Sequence, residues 1–168
     1  MLVSDKNFWK YLKKGELEVR PLFWGNVQPA SVDLTLDKEI MILGNHMAVD
    51  IKPEGYSVLP GEFLLASTSE EIYVSSKFAA RVEGKSSLGR LGLMVHVTAG
   101  FIDPGFRGKI TLEIVNLSRE PVKITAGQKV CQLTFLHMDK RVARPYGTRG
   151  LGSRYQGQTK VTPSQGVV

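Results

Sequence analysis

Glu113 stands in the run Lys109-Ile110-Thr111-Leu112-Glu113-Ile114-Val115-Asn116, between apolar Leu112 and Ile114. The alternation reads as a strand with Thr111, Glu113 and Val115 on one face. A carboxylate there either points to solvent, the commoner outcome for Glu, or enters a pocket. In a pocket, desolvation would raise its pKa toward neutrality and suit it to general acid–base work. Gly84-Lys85-Ser86-Ser87-Leu88-Gly89-Arg90 offers a different chemistry. Glycine lets backbone approach a ligand closely, successive N–H groups at such a turn form an anion-binding nest, and a following helix adds its dipole. The hydroxyls, Lys85 and Arg90 add donors, so the segment suits phosphate; the plain alternative is a polar β-turn. The residue order of a Walker A loop is absent. Asp103 sits between Ile102 and the turn Pro104-Gly105. It either caps that turn or faces a cleft to hold a sugar hydroxyl or a water.

Metal chemistry finds no pattern in the side chains. The single Cys131 and the scattered His46, His96 and His137 do not make the H-x-E…P-C-x-x-C signature of zinc deaminases. Neither H-E-x-x-H nor G-x-S-x-G occurs. His96 reads as a buried, hydrogen-bonded histidine. One cysteine excludes an internal disulfide framework and suits a reducing cytoplasm. The net charge of +6 asks for a polyanionic partner, a triphosphate nucleotide or a nucleic acid. Few aromatics interleave with the basic loop, so stacking on single strands is poorly supported. No apolar run approaches the roughly 20 residues of a membrane-spanning helix, and the charged start MLVSDKNFWKYLKK is not a signal peptide.

The elements that must position these groups are mostly short strands in one domain of 168 residues. A single helix opens the chain, with Ser4 as N-cap, Asp5 in the first turn, Phe8, Trp9 and Leu12 on one face, and Gly15 as the stop. Strand patterns follow over Glu39 to Leu43, Phe63 to Thr68, Phe78 to Glu83, Lys109 to Asn116, Val122 to Thr125 and Lys129 to His137. Gly and Pro punctuate them, which indicates an all-β sandwich, jelly roll or barrel. Gly84 to Leu93 reads as a turn entering one short helix. The tail from Pro145 is rich in Gly, Ser, Thr and Gln, and its composition predicts a mobile segment unless something orders it.

In their order along the chain, several segments closely resemble the dCTP deaminase family, a branch of the dUTPase-like superfamily. They are Gln28-Pro-Ala-Ser-Val-Asp-Leu-Thr-Leu36, Gly84 to Arg90, His96-Val-Thr-Ala-Gly-Phe-Ile-Asp-Pro-Gly-Phe106, Gly108-Lys-Ile-Thr-Leu-Glu113, Arg144-Pro-Tyr146 and Ser153-Arg-Tyr-Gln-Gly-Gln158. The resemblance implies an all-β, distorted jelly-roll or β-barrel-like dUTPase fold with a short N-terminal helix and a flexible C-terminal tail. It implies a homotrimer whose active sites lie between subunits. Residues 1–144 would form the core, and residues 145–168 a tail closing over the site. Magnesium (Mg2+) would enter on the triphosphate, with no zinc at the base and no metal held by protein side chains.

Carried over residue by residue, Glu113 matches the catalytic glutamate, which takes a proton from the water attacking C4 and returns protons to the ring and the leaving ammonia. Ser86 and Arg90 match residues supporting base and water. Lys85, Ser86, Ser87, Leu88, Gly89 and Arg90 match the nucleotide-binding stretch. Asp103 matches the residue at the deoxyribose, and Thr111 and Leu112 the strand beside the base. Gln132, Tyr146 and Gln158 match nucleotide contacts, and Arg154 takes the place of a frequent tail lysine. Gly100-Phe101 resembles the dUMP-forming type, since strict deaminases tend to carry His-Arg there; Asp103 would then orient a water toward phosphorus.

The implied reaction is dCTP to dUMP, diphosphate and ammonia, with dUTP as a further substrate and dTTP as an inhibitor, and with neither nucleic acid nor membrane as partner. The alternatives are a deaminase that stops at dUTP, a dUTPase, and a non-catalytic nucleotide-binding β protein. Two features depart from the family. Asp37 replaces the usual glycine, which puts a local turn in question, and the segment from Asn45 to Pro53 is short.

Overall fold

The structure, a computed structural model, describes residues 1–43 and 47–166; Asn45 and His46 lie outside the described residues. The chain opens with helix α1 (Asp5–Lys13). Ser4 takes the N-cap position with extended backbone, but its hydroxyl makes no capping bond. What holds the helix is its apolar face: Phe8 is buried and stacks on Phe135 at 5.5 Å. A large buried apolar side chain contributes roughly 1.5–3 kcal/mol, more than a missing cap costs.

The strands follow as β1 (Leu17–Arg20), β2 (Val32–Ile42), β3 (Ala48–Asp50), β4 (Tyr56–Val58), β5 (Phe63–Val74) and β6 (Phe78–Gly84). A short helix α2 (Ser86–Gly89) precedes β7 (Leu93–Met94), β8 (Phe101–Ile102), β9 (Arg107–Asn116), β10 (Val122–Ile124) and β11 (Lys129–His137). The main sheet runs β7-β9-β5-β2-β11-β6-β8, with β1 added on β5 and β3 on β2, while β10 pairs with β4 apart. The pairings are antiparallel. The sequence runs at 39–43 and 63–68 prove to be pieces of the longer β2 and β5. Asp37 does not sit in a turn: β2 passes through it, with its pairing to β5 irregular between Leu36 and Ile40.

Period-two alternation sorts the sheet into two faces. Leu34, Leu36, Leu64, Ala66, Ile110, Leu112 and Ile114 enter one core with Phe78, Leu133 and Phe135. The opposite face of β9 carries Lys109, Thr111 and Glu113, half-buried where their neighbours are buried.

The tail is ordered, against its composition. β7 covers β9 only at Val115 and Asn116, so the first half of β9 offers free edge groups, which attract another strand. Residues around Gln158 supply it. The Lys109 N–H donates to the Gln158 carbonyl (2.8 Å) and the Gly157 N–H to the Arg107 carbonyl (2.8 Å). The Gln158 side-chain amide donates to the Lys109 carbonyl (2.6 Å). Gly108 makes this approach possible: its φ is 145°, and a Cβ there would stand 2.8 Å from the Gln158 carbonyl oxygen. Beyond it, Val161 is 2% exposed and packs with Met41, Leu65 and Phe63.

Candidate active site

Glu113 does not point into bulk solvent. Its Oε2 accepts the N–H groups of Val97 (2.8 Å) and Thr98 (3.0 Å), and its own N–H donates to the Val95 carbonyl (3.2 Å). The loop between β7 and β8 thus holds the carboxylate and fixes its orientation, while Oε1 takes no partner among the described residues. Leu65 lies opposite Glu113 across the β5–β9 pair, under the Val161 cluster. On the same face, the Thr111 hydroxyl oxygen accepts the Thr162 N–H (3.3 Å) and its proton points to Gln158 Oε1 (3.5 Å). The tail therefore crosses beside Glu113. Leu112 is different: its side chain belongs to the core, so only its backbone can face a base.

The end of that loop explains Gly100. A Cβ there would come within 3.1 Å of the His96 ring and of the Val82 carbonyl oxygen, and the Gly100 carbonyl accepts the Val82 N–H at 2.8 Å. A side chain at this position requires the His96 ring to move. Against the expectation of a hydrogen-bonded histidine, the buried Nδ1 of His96 has no partner among the described residues. Phe101, beside Gly100, is 60% exposed.

The loop after β6 folds as its composition suggests, with the Lys85 carbonyl accepting the Leu88 (3.0 Å) and Gly89 (2.9 Å) N–H groups. Leu88 packs on the core, which leaves Ser86, Ser87, Gly89 and Arg90 facing outward. Lys85 is not a free cation. Its ammonium lies 2.6 Å from buried Asp33, which also holds Lys129 at 3.1 Å. Gln132 stands opposite Asp33 on β11 and accepts from the Ser31 hydroxyl at 3.4 Å. Lys85 and Gln132 thus meet around Asp33, a residue the sequence reading quoted inside a motif without giving it a role. No hydrogen bond or ion pair joins Ser86 or Arg90 to Glu113 among the described residues.

The Asp103 side chain makes no capping hydrogen bond among the described residues; its carbonyl accepts the Phe106 N–H (3.1 Å), and the residue lines a pocket with Arg144, Tyr146, Leu151, Gly152 and Ser153. Tyr146 is set there by the Pro104 carbonyl, which accepts its N–H at 2.7 Å, and by its ring, 6.0 Å from that of Phe106. Arg154 points elsewhere, donating to the carbonyls of Gln165 and Gly166.

Two further carboxylates lie between the strands that carry the site. Asp37 pairs with Lys109 at 2.5 Å. Burial pushes its carboxyl up, but the Lys109 ammonium and the Lys38 N–H outweigh that and hold it below the ordinary range. Glu70, 1% exposed, accepts the N–H (2.9 Å) and hydroxyl (2.9 Å) of Thr35. Burial dominates there and raises its pKa despite those bonds.

The curled antiparallel sheet, with its mid-strand Glu113 and the pocket at Asp103, defines a protein of the dUTPase-like fold. A crystal structure of the 2'-deoxycytidine 5'-triphosphate deaminase from Agrobacterium tumefaciens matches with a TM-score of 0.67 at 22% identity, over 80% of this chain and 47% of that one. The chain thus spans about half the length of that structure. A dUTPase from phage phi11 of S. aureus, solved with a structural Mg(II) ion, matches at 0.51 and 16% identity, over 76% of this chain and 94% of its own. The chain belongs to the dCTP deaminase-like family, whose model matches residues 2–138. It is similar to proteins named "dCTP deaminase, dUMP-forming" from Kocuria rhizophila and Salinispora arenicola. Each is 42% identical, over 98% of this chain and 94% of the relative.

Proposed function

We propose that the chain hydrolyses dCTP at C4 of cytosine and also cleaves its triphosphate, consuming two waters and giving ammonia, dUMP and diphosphate. The observation that carries this is the half-buried Glu113 carboxylate, held by two loop N–H groups with one oxygen left to act. Glu113 takes a proton from the water as it adds to C4 and passes it to ring N3; it then takes the remaining proton from the C4 hydroxyl of the adduct and delivers it to the amino group, so that the C4 carbonyl forms as the C4–N bond breaks and ammonia leaves. One positioned acid–base group of this kind supplies roughly 10²–10⁴-fold.

Ser86 and Arg90 support the base and the water. Because neither bonds Glu113 within the chain, a neighbouring subunit of a homotrimer supplies them. Magnesium arrives with the triphosphate as part of the substrate. Asp103 orients the second water toward phosphorus, and the tail closes the site and excludes bulk water, which strengthens electrostatics there. Gly100, where a side chain would require the His96 ring to shift, favours the dUMP-forming type, as do the names of the relatives at 42% identity. dTTP resembles the substrate and would compete for the same site.

The test is product analysis by chromatography after incubation with dCTP and magnesium, with dUTP in parallel. The expected products are dUMP, diphosphate and ammonia. Accumulating dUTP marks a deaminase that stops after one step. Cleavage of dUTP with dCTP untouched marks a dUTPase and rejects the role of Glu113.

A further inference from the structure

The two tryptophans of the chain, Trp9 and Trp24, take no part in the proposed reaction. Their rings stack at 4.7 Å with 16° between the planes. Trp9, on α1, is half-buried and packs on the core beside Phe8. Trp24 is 76% exposed, and Phe23 next to it 60%. Trp9 covers one indole face of Trp24, and the other is open to solvent. The turn that presents this face is fixed. The Asn26 N–H donates to the Phe23 carbonyl (2.9 Å) and the Val27 N–H to the Trp24 carbonyl (3.1 Å). The Lys129 ammonium donates to the Gly25 carbonyl (3.0 Å). Holding two large aromatic side chains in water forgoes the burial that their surface favours, which marks a contact site.

Cations border the platform. By helical spacing Lys6, Lys10 and Lys13 run down the flank of α1 beside Trp9 and away from Phe8 and Leu12, over about 10 Å of the axis. All three are exposed, and none enters an ion pair among the described residues. The one acid of α1, Asp5, accepts the Lys6 backbone N–H (2.7 Å). An open aromatic face beside unpaired lysines complements a flat ring tied to phosphates. A free nucleotide needs a concave site to bury most of its surface, and this face has no walls. A single strand gains instead from several phosphates at once. A bilayer would need the apolar face of α1, but Phe8 and Leu12 turn that face into the core. The basic loop from Gly84 to Arg90 lacks aromatic neighbours in sequence; the fold brings Trp24 to the lysines of α1. We infer that Trp24, Trp9 and these lysines form a docking surface for single-stranded nucleic acid, with a base stacked on Trp24 and the backbone along Lys6, Lys10 and Lys13.

Because the platform holds both tryptophans, their fluorescence reads it directly. The test titrates the full chain with a single strand of about twelve deoxyadenylates, purines being foreign to the proposed reaction. Quenching is expected, with an affinity that falls as salt rises at a log–log slope of about −2 for three phosphates. Binding by variants is followed through the anisotropy of a labelled strand. Trp24→Ala should bind roughly tenfold more weakly, the loss of one base stack. Lys10→Gln with Lys13→Gln should flatten the slope to about −0.7. Both variants should keep the wild-type rate of ammonia release from dCTP, and the bound strand should leave that rate unchanged. If Trp24→Ala does not fold, the lysine pair, at exposed helix positions, carries the comparison. Absence of quenching, wild-type affinity in Trp24→Ala, or competition between strand and dCTP overturns the inference. So does binding to anionic phospholipid vesicles without binding to the strand, which assigns the surface to a membrane. Failure of acrylamide to quench Trp24 in the free protein places it in a contact between copies and overturns the inference as well.

Discussion

A carboxylate inside a sheet must be solvated by something, and Glu113 and Glu70 both use backbone N–H groups rather than cations. Glu113 takes them from a loop at the surface; Glu70 takes Thr35 from within the sheet. The raised Glu70 has a consequence for stability. Its folded pKa lies above its unfolded one, so the native state binds the proton more tightly, and stability falls as pH rises from the unfolded value, near 4.3. The depressed Asp37, Glu16 and Glu18 carboxyls act the other way: their stabilisation is present above their unfolded pKa and is lost as pH falls through the folded one. Glu70→Gln keeps an acceptor for Thr35 and removes the buried charge. Denaturant melts between pH 4.5 and 8 should therefore show a fall in stability with pH in wild type and a flatter line in the variant. A variant that keeps the wild-type slope would assign the effect to another group. Sequence alternation made Glu113 legible as a one-face residue. It could not show Asp33, because its partner Lys85 lies 52 positions away and nothing local marks the pair.

At the level of elements, order in the tail comes from the sheet and not from the tail. Its composition is that of a mobile segment, and its own apolar content is slight, so reading it alone predicts no structure. What composition cannot contain is that β9 leaves an edge unpaired, with Gly108 on it. Val161 then finds Met41, Leu65 and Phe63, side chains that no local pattern connects to residue 161. β2 and β5 were under-read for a similar reason, since their irregular pairing interrupts the alternation that marks a strand. Val161→Asp places a charge in that cluster and should release the end of the tail while the sheet stays folded. The lost burial is about 1.5–3 kcal/mol, and a melting temperature lower by roughly 5 °C is expected. Trypsin should cut faster after Lys160, and KM should rise more than kcat falls. Unchanged cleavage would show that Gln158 alone holds the tail.

The whole molecule poses a question that one chain does not answer by itself, namely how Glu113 meets Ser86 and Arg90. Within the chain Glu113 is held by the loop after β7, and α2 leads into β7, which pairs with the end of β9, yet no hydrogen bond or ion pair joins Ser86 or Arg90 to Glu113 among the described residues. If sites form between subunits, the groups that meet come from different chains, and two inactive variants can repair each other. Glu113→Gln should bind dCTP yet release no ammonia, and Arg90→Ala should lose turnover as well. Trimers of either variant alone have every site damaged. Mixed trimers, formed by dissociating and reassembling the two together, contain some sites with Glu113 from one chain and Arg90 from another, both intact. Such mixtures should regain a fraction of wild-type ammonia release, and sedimentation should show the trimer mass. Trimers that mix without any recovery would place both residues of each site on one chain. The outward-facing Ser86 and Arg90 side chains of α2 would then have to turn toward Glu113 within a subunit, through the short stretch that joins α2 to β7 beside β9.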